Sequence, residues 1–543
     1  MGMVKSGDRV LSTEALALRG AQVGAGLESL GIGPGAGVAI YLRNDLAFFE
    51  IALGAAAVGA YPVAVNWHYT EEEARYVFED SGAKALVIHS DLFERVRGAV
   101  PAGTHVLIVR TPPEIVSAYG LDAAAEQVLS EGALDWDSWR DSFSPRLQEP
   151  ASTTLSIIYT SGTTGHPKGV KRPPYTGEQM ESLTIALSVI FGFGYFEDPG
   201  QIVTAVVGPI YHSAPNVHAL FSFRVGAQVH VCSRFDAEGL LALIEAEQIT
   251  HLHLVPIMFE RLLKLPEDVR RRYDVSSLRF VVHAAAPCSP ATKRAMIEWW
   301  GPIIHEYYGA TETGPVTFLG SEEWLEHPGS VGRAMDSAEV RVLDESGRVL
   351  GPGEIGEVVA GSASGSNEFT YHGDDAKRRA ADRDGLFAPG DIGYFDEEGY
   401  LFLCDRKIDM IISGGVNIYP AAIEAELHKH EAVVDCAVFG IPDDEFGEAV
   451  HAVVSLRQGE RLTEEEVKDF LRGRIAAYQI PRQVEFRDEL PREDSGKIFK
   501  RKLRDPYWAG VGGARSRRPQ AGALGPERAR ATPSETGIPR KST

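Results

Sequence analysis

A chain of 543 residues exceeds the size of a single hydrophobic core, so two or three domains are expected. Its formal net charge of -22 argues against a nucleic-acid-binding protein, which needs basic surface to neutralise phosphates. The four cysteines lie far apart without a CxxC pair, which argues against a zinc site or a disulfide framework and predicts a reducing, cytoplasmic environment.

The first 150 residues or so alternate helical periodicity with short apolar runs, a pattern typical of crossover units on a parallel sheet. The pattern predicts a helix over Leu16–Leu30 and strands over Val38–Leu42, Ala85–Ile88 and His105–Val109. The longest apolar run, Ile51–Val65, is too short to span a bilayer and contains Pro62. It predicts a buried helix followed by a strand, and no stable membrane insertion is expected.

A stretch rich in glycine and hydroxyl residues, YTSGTTGHPKGV, occupies Tyr159–Val170 after the apolar run Leu155–Ile158. A strand that ends this way lets the backbone approach an anion while several donors converge on its oxygens, so it predicts a phosphate site. The hydroxyl donors are Ser161, Thr163 and Thr164, and the small residues are Gly162, Gly165 and Gly169. Lys168 supplies the positive charge.

The same stretch is compatible with two alternatives to this phosphate site. A P-loop needs a hydroxyl residue after its lysine and then a helix, whereas Gly169 follows Lys168 and Pro173-Pro174 forbid an immediate helix. A hairpin turn without a ligand is the other alternative.

Further strands are predicted over Ile202–Val207, Leu252–Val255 and Leu278–Val282, and the first and third lead into small or polar residues. Ligands bind at the carboxyl ends of strands in α/β sheets, so these segments are candidate site segments. They contain His212 and Ser213, then Ala284, Ala285 and Ala286, and, after another apolar run, Tyr308, Gly309, Thr311 and Glu312. A carboxylate beside a phosphate site suits magnesium, although a capped helix start at Thr311 is an alternative.

In the C-terminal third, the sequence pattern changes to short strands and turns. Short strands and turns over Val340–Val358 predict a small barrel-like subdomain. Three candidate site segments follow: Asp391 after a tight turn, Arg406 at a strand end, and the glycine loop Ser413, Gly414 and Gly415. Beyond them a small α+β domain is predicted, with a helix over Ala421–Lys429, strands over Ala432–Phe439 and Ala449–Leu456, and a helix opened by the capping box of Thr463 and Glu466.

These motifs, in this order, resemble those of the adenylate-forming superfamily, which comprises acyl-CoA synthetases, peptide-synthetase adenylation domains and luciferases. The resemblance extends to about residue 505. It implies an α/β fold with a large N-terminal domain of stacked sheets plus the barrel-like subdomain, and a small mobile α+β domain. The expected boundaries are 1–405 for the large domain, 406–409 for the hinge, 410–507 for the small domain, and 508–543 for a disordered tail.

The resemblance also implies roles for individual residues. Lys497, Thr311 and Glu312 would be catalytic, with Glu312 holding Mg²⁺, and Ser413, Gly414 and Gly415 would bind CoA. The acid would contact His212, Ser213, Ala284, Ala286 and Gly309. ATP would contact Thr160, Ser161, Gly162, Thr163, Thr164, Gly165, Lys168, Gly169, Ala285, Tyr308, Gly309, Thr311, Asp391, Arg406 and Lys497. The chain departs from the family at Ile408, where relatives pivot on Asp or Lys.

The resemblance implies the activity of an AMP-forming ligase that joins a carboxylic acid to a thiol. Free CoA is the expected thiol, because no carrier-protein domain is attached. The segments YHSAPN and SGGVNIYP are similar to those of ligases for bulky ring acids, such as naphthoate-type acids of antibiotic biosynthesis. They are also similar to those of fatty acyl-CoA ligases. A non-catalytic, nucleotide-binding regulator is the rival from another class. The expected partners are the acid, ATP and CoA, with no nucleic acid, and a homodimer is compatible with this interpretation.

Overall fold

The computed structural model describes residues 2–122, 132–146, 152–160, 167–194, 198–363, 368–373, 375–492 and 498–509. The helices and strands up to residue 171 are β1 (Met3–Ser6), β2 (Arg9–Ser12), α1 (Thr13–Ser29), β3 (Gly37–Tyr41), α2 (Leu46–Ala57), β4 (Tyr61–Ala64), α3 (Glu71–Asp80), β5 (Ala83–His89), α4 (Ser90–Val96), β6 (His105–Val109), α5 (Pro113–Tyr119), β7 (Leu134–Asp135), α6 (Trp136–Asp141), β8 (Ile157–Thr160) and β9 (Lys168–Lys171).

The next group runs to residue 334. It comprises α7 (Gly177–Ile190), β10 (Val203–Val206), α8 (Ser213–Arg224), β11 (Gln228–Val231), α9 (Ala237–Glu247), β12 (His251–Leu254), α10 (Pro256–Leu263), α11 (Glu267–Arg270), β13 (Phe280–His283), α12 (Pro290–Trp300), β14 (Ile304–Ala310), β15 (Gly314–Leu319), α13 (Ser321–Glu326) and β16 (Arg333–Ala334).

The remaining elements follow in two groups. Up to residue 406 these are β17 (Ala338–Leu343), β18 (Gly356–Ser362), β19 (Thr370–Tyr371), α14 (Asp375–Ala380), β20 (Asp382–Arg383), β21 (Leu386–Phe387), β22 (Asp391–Phe395) and β23 (Leu401–Arg406). After residue 410 they are β24 (Ile411–Ser413), β25 (Val416–Ile418), α15 (Pro420–Leu427), β26 (Val433–Asp443), β27 (Gly447–Leu456), α16 (Glu464–Leu471), β28 (Gln483–Phe486) and α17 (Lys500–Trp508).

Two large sheets form the N-terminal part. The first has the strand order β19-β9-β8-β4-β3-β5-β6-β7, and the second has the order β16-β15-β14-β13-β12-β10-β11-β1-β2. Their central strands pair in parallel, and β3 is buried along its whole length, as expected for a sheet covered on both faces. The predicted stacked α/β sheets are therefore confirmed.

The third sheet has the order β20-β21-β18-β22-β23, with β17 also paired to β18. The short strands and turns over Val340–Val358 predict a barrel-like subdomain, but in the described part of the chain no barrel closes. Strands β20 and β21 are only two residues long, and β20 and β23 remain at opposite edges. Too few ladder positions exist to join these edges, so the sheet stays open and antiparallel.

The small C-terminal unit packs α15 and α16 against the sheet β26-β27-β28, beside the hairpin β24-β25. Thr463 caps α16 and Glu466 returns the capping hydrogen bond, as predicted from the sequence. The predicted disordered tail lies outside the described residues from residue 510 onward. Among the described residues, no helix combines the length and the apolar character needed to cross a bilayer.

Candidate active site

The hairpin of β8 and β9 carries the glycine-rich stretch. Thr160 pairs with Lys168 at the end of this hairpin next to the connecting residues, and the Nζ atom of Lys168 lies 4.9 Å from the centre of the Tyr371 ring. Gly169 leaves room for the Tyr159 ring, because a Cβ would come within 2.8 Å of its Cζ atom. The predicted phosphate ligands Ser161, Gly162, Thr163, Thr164 and Gly165 lie outside the described residues.

The segment with Thr311 and Glu312 forms the tip of the β-hairpin between β14 and β15. The alternative of a capped helix start is therefore wrong, because antiparallel pairing continues on both sides of the tip. The pairing shifts register between Tyr308 and Gly309, and a Cβ on Gly309 would collide with the carbonyl oxygen of Gly314. This position requires glycine because two backbone segments approach so closely.

Two side chains from the first sheet hold this hairpin tip. The Tyr371 hydroxyl donates to Oε1 of Glu312 across 2.8 Å. The Nη2 atom of Arg172, just after β9, donates to the carbonyl oxygens of Thr311 and Glu312 at 2.6 and 3.0 Å. Lys168, Thr311 and Glu312 are thus brought to one place by Tyr371 and Arg172.

A second cluster surrounds Asp391. Gly390 has φ 89°, which turns the chain so that Asp391 opens β22. The Tyr308 hydroxyl donates to Oδ2 of Asp391 across 2.6 Å, and Nε of Arg406 lies 3.2 Å from Oδ1. Three predicted ATP contacts therefore meet here.

Arg406 connects the two clusters electrostatically. Desolvation acts to lower the pKa of Arg406, but the charges around it, which include Asp391 and Glu312, raise it on balance. Half-exposed and positive, Arg406 therefore faces both candidate carboxylates, where an anionic ligand would find a counter-charge.

A magnesium ion fits these residues. Within the part of the chain that the structure describes, no group of three or more His, Cys, Asp or Glu side chains could cage a metal. Glu312 provides one carboxylate, and Tyr371 occupies only one lone pair of its Oε1 atom. Magnesium commonly takes one or two protein carboxylates and completes its shell with phosphate oxygens and water, so this donor set suits a cation that arrives with a nucleotide.

The predicted acid contacts gather at the start of α8 and the end of β13. His212 is the residue before α8 and packs on Tyr211 at a ring separation of 4.3 Å, and Ser213 begins the helix. At the end of β13, Ala284 is buried while Ala285 adopts φ 74° in the left-handed region. Ala285 therefore occupies a backbone conformation that glycine adopts without strain.

A layer of aromatic and histidine side chains lies between α8 and the second sheet. The hydroxyl of half-buried Tyr307 lies 3.2 Å from Nε2 of His253, whose ring is 5.7 Å from His218. His218 in turn lies 3.2 Å from the Thr204 hydroxyl and packs against Phe191. Burial lowers the pKa of His253 to about 4 and that of His218 well below its usual value, so both imidazoles are neutral at pH 7.

The predicted CoA contacts form the turn of the hairpin β24-β25. Gly414 and Gly415 have φ 57° and 82°, and the Gly414 amide donates to the carbonyl of Phe446 within the same small unit. Ile412, Val416 and Phe446 are exposed around this turn. In this orientation the hairpin therefore faces solvent, and the structure does not bring Ser413, Gly414 and Gly415 to the Glu312 cluster.

The predicted hinge position, Ile408, lies in a turn in which the amides of Asp409 and Met410 donate to the Arg406 carbonyl. Next to it, Oδ2 of Asp405 accepts from the Ala421 amide at the start of α15, 2.8 Å away. Burial raises the pKa of Asp405 to about 6. Asp405 thus joins the last strand before the hinge to the first helix after it.

The predicted catalytic Lys497 lies outside the described residues. Its neighbour Lys500 begins α17 and pairs with Glu424 across 2.8 Å, and the charge of Lys500 also acts on Asp405. The described segment that follows Lys497 therefore lies beside the strand that carries Arg406.

Sequence reasoning missed Tyr371, Arg172, Tyr307 and His253. Tyr307 could have been found, because alternation along a strand places it on the face opposite Tyr308. Tyr371 reaches Glu312 from 59 residues away, and no local pattern signals that contact.

Comparisons with known proteins cover both parts of the chain. Residues 3–367 match the family model described as AMP-binding enzyme, and residues 422–497 match the model of the AMP-binding enzyme C-terminal domain. The long-chain-fatty-acid–CoA ligase FadD13 of Mycobacterium tuberculosis is 32% identical over 498 residues, with 92% of each chain covered. A feruloyl-CoA synthase of Amycolatopsis is 34% identical over 505 residues, which cover 92% of this chain and 95% of the relative.

Solved structures agree with these matches. ATP-bound MatB from Rhodopseudomonas palustris superposes with a TM-score of 0.79 at 26% identity, covering 94% of this chain and 96% of the other. The anthranilate CoA ligase AuaEII in complex with anthranoyl-AMP gives a TM-score of 0.78 at 25% identity, covering 94% and 95%.

Proposed function

Because the chain belongs to the AMP-binding, adenylate-forming enzyme family and is an AMP-forming acid–CoA ligase, we propose that its acid is a bulky aromatic or polycyclic carboxylic acid, for example of the naphthoate type. A carboxylate oxygen forms a bond to the α-phosphorus of ATP, and the bond to the leaving pyrophosphate breaks. The thiolate of CoA then attacks the acyl carbon, and AMP leaves with the electron pair of the broken bond.

The ATP half of this proposal is supported by the two neighbouring clusters. Asp391 accepts hydrogen bonds from the ribose hydroxyls. In the structure its carboxylate is held by Tyr308 and Arg406, and the ribose either replaces these contacts or adds to them. Lys168 and Thr311 stabilise the negative charge that develops on phosphate oxygens in the transition state. Lys497 supplies a further positive charge for the first half-reaction.

Magnesium, held by Glu312 and phosphate oxygens, would neutralise charge on the phosphates when bound. In the structure, the Tyr371 hydroxyl donates to the Glu312 carboxylate and Arg172 donates to the adjacent backbone carbonyl of Thr311. Repulsion between the two anionic substrates is the barrier that these residues reduce.

The CoA half requires a second orientation of the small domain. The hairpin with Gly414 and Gly415 faces solvent while the segment after Lys497 lies near Arg406. Lys497 and the glycine hairpin cannot both occupy one face of the adenylate. We therefore infer that the small domain rotates about residues 406–409 between half-reactions. Contacts such as that of Asp405 with the Ala421 amide would break in that rotation.

One observation carries the preference for a ring acid: the aromatic and histidine layer beneath α8, the helix that Ser213 begins. Its neutral imidazoles and the Tyr307 hydroxyl offer hydrogen-bonding atoms, and its rings offer flat stacking surfaces. A ring acid with a polar substituent can stack on these rings and exchange hydrogen bonds with the Tyr307 hydroxyl, whereas a long alkyl chain offers neither interaction. The names of the feruloyl-CoA synthase and the anthranilate CoA ligase also point to ring acids.

A medium- or long-chain fatty acid is the second candidate, and the similarity to FadD13 favours it. Pyrophosphate release distinguishes the two when the full-length enzyme is given ATP, CoA and a panel of substituted benzoates, cinnamates, naphthoates and C8–C16 fatty acids. The proposal predicts the highest kcat/KM for a ring acid. The highest value for a fatty acid would overturn it, and no pyrophosphate with any acid would favour the non-catalytic regulator.

A Tyr307→Phe variant sharpens this test, because it removes a hydroxyl and keeps the ring. We expect kcat/KM to fall by about fivefold to tenfold for ring acids with a polar substituent and to stay the same or rise for fatty acids. Tyr273→Phe is the matched control, because its hydroxyl bonds to Glu238 at the surface, away from α8 and β13. Magnesium dependence, a homodimer and a cytoplasmic location stay predictions alongside the identity of the acid.

A further inference from the structure

Tyr371 lies between two candidate phosphate-site groups. It belongs to β19, which pairs with β9 so that Tyr371 stands opposite Val170. The ring is buried, its hydroxyl donates to Oε1 of Glu312, and Nζ of Lys168 lies over its face. One side chain therefore contacts both the cation of the glycine-rich hairpin and the carboxylate of the β14–β15 hairpin.

The ring of Tyr371 has a packing role that is separate from that of its hydroxyl. Val170, Phe369 and Phe387 form a small apolar cluster around the ring. Phenylalanine would fill the same space, because packing alone needs no hydroxyl. The hydroxyl therefore serves the contact with Glu312 and not the packing of the ring.

Arg172 holds the same tip through the backbone. Its Nη2 atom donates to two successive carbonyl oxygens, those of Thr311 and Glu312. The backbone carbonyl of Arg172 itself accepts from the Tyr61 hydroxyl at 3.0 Å, which fixes Arg172 to the first sheet. The tip of the second-sheet hairpin is thus tied to the first sheet at its backbone and at its carboxylate.

We propose that Tyr371 and Arg172 are positioning residues that fix the Glu312 carboxylate for a divalent cation bound with the nucleotide. The Tyr371 hydroxyl donates to Oε1 and fixes the carboxylate, whose Oε2 would be available to the cation, while Arg172 holds the backbone of the tip. This inference rests on the proposed function in assuming that ATP arrives with a cation at Glu312. It adds that the cation affinity depends on two side chains that do not touch the cation.

The test measures cation binding directly and needs no acid. Free Mn²⁺ is measured by electron paramagnetic resonance while it is titrated into full-length enzyme saturated with α,β-methylene-ATP. Tyr371→Phe is expected to weaken Mn²⁺ binding about tenfold, the effect of losing one hydrogen bond to a charged group. Affinity for the nucleotide measured in EDTA should change less than twofold.

The matched control is Tyr41→Phe. Tyr41 is also buried in the first sheet, and its hydroxyl donates to the backbone carbonyl of Tyr69, away from the Glu312 cluster. It should lose one hydrogen bond in the same sheet and bind Mn²⁺ as the wild type does. A parallel loss in this variant would overturn the proposal, because it would show a general effect of removing a buried hydroxyl.

Arg172 gives a second measurement. Arg172→Gln should weaken Mn²⁺ binding, and Arg172→Lys, which keeps a charged donor, should restore at least half of the lost binding free energy. Wild-type Mn²⁺ binding by Tyr371→Phe overturns the proposal even if Arg172→Gln does not fold. An enzyme that releases no pyrophosphate but whose Tyr371→Phe variant loses Mn²⁺ affinity would contradict the ligase function and support this inference.

Discussion

Tyr308 and Asp391 are joined by a 2.6 Å hydrogen bond although they belong to different sheets. Tyr308 comes from β14 of the second sheet and Asp391 from β22 of the third. The bond therefore ties the candidate ribose site to the strand that leads into Thr311 and Glu312. Only 8% of Asp391 is exposed, so its orientation is set by protein neighbours and not by solvent.

We expect Asp391→Asn to raise KM for ATP at least tenfold with a smaller effect on kcat. An amide keeps one acceptor oxygen and loses the negative charge, so it cannot serve Tyr308, Arg406 and two ribose hydroxyls together. Tyr308→Phe should raise KM only about twofold to fivefold, because the carboxylate stays charged. Initial rates of pyrophosphate release against ATP concentration check both, and an unchanged KM in Asp391→Asn would contradict the ribose role.

Ala285→Gly is expected to stabilise the protein. Ala285 has φ 74° and is exposed, so the substitution removes left-handed strain of roughly 1–2 kcal/mol and loses no packing. Part of that gain is offset by the greater backbone entropy of glycine in the unfolded chain, roughly 0.4–1 kcal/mol. We expect a net increase of about 0.5–1 kcal/mol in the free energy of unfolding, measured by urea denaturation.

Ala284→Gly is the control for this prediction. Ala284 is buried and lies outside the left-handed region, so glycine there should lower the free energy of unfolding. An equal loss of stability in both variants would contradict the prediction that left-handed strain at Ala285 destabilises the protein.

Asp405 predicts a pH effect at the contact between the hinge strand and α15. Burial raises its pKa to about 6, so the fold favours the protonated form and the unfolding free energy falls as pH rises from about 4 to about 6. Asp405→Asn removes this proton uptake. The stability of the variant relative to the wild type should be greater at pH 7.5 than at pH 4 by about 1–2 kcal/mol, a value reduced for partial exposure.

Denaturation midpoints of both proteins at pH 4, 5, 6 and 7.5 check this dependence. The hydrogen bond that asparagine loses is missing at every pH, so only the change with pH reports on the carboxyl group. A constant difference between the two proteins across this range would mean that Asp405 titrates near its ordinary value.

Local periodicity was sufficient to predict most strands and helices of the large sheets. The strand predicted over His105–Val109 coincides with β6, and the apolar run Ile51–Val65 contains the end of α2 and all of β4. β4 is buried along its whole length and β6 from Leu107 onward, so an apolar run is a direct consequence of their environment. The other predicted ends in the two large sheets differ from the observed ones by one to three residues, because helix and strand ends are weakly marked in sequence.

The candidate site was predictable only where a motif is contiguous. Asp391, Arg406, Thr311 and Glu312 each stand in a recognisable stretch, and the structure groups them in two adjacent clusters. Tyr371 and Arg172 owe their place to strand pairing between β19 and β9 and to the approach of two sheets. Such contacts depend on tertiary packing, which a single sequence without pairing information does not encode.

Lys497→Ala tests the central claim, that two orientations of the small domain present different residues to one acyl-adenylate. The measurement is pyrophosphate release from acid and ATP, compared with thioester formation when the chemically prepared acyl-adenylate and CoA are supplied. We predict a loss of at least a hundredfold in the first rate and less than a threefold change in the second. An equal loss in both rates, or no loss in the first, would contradict the account.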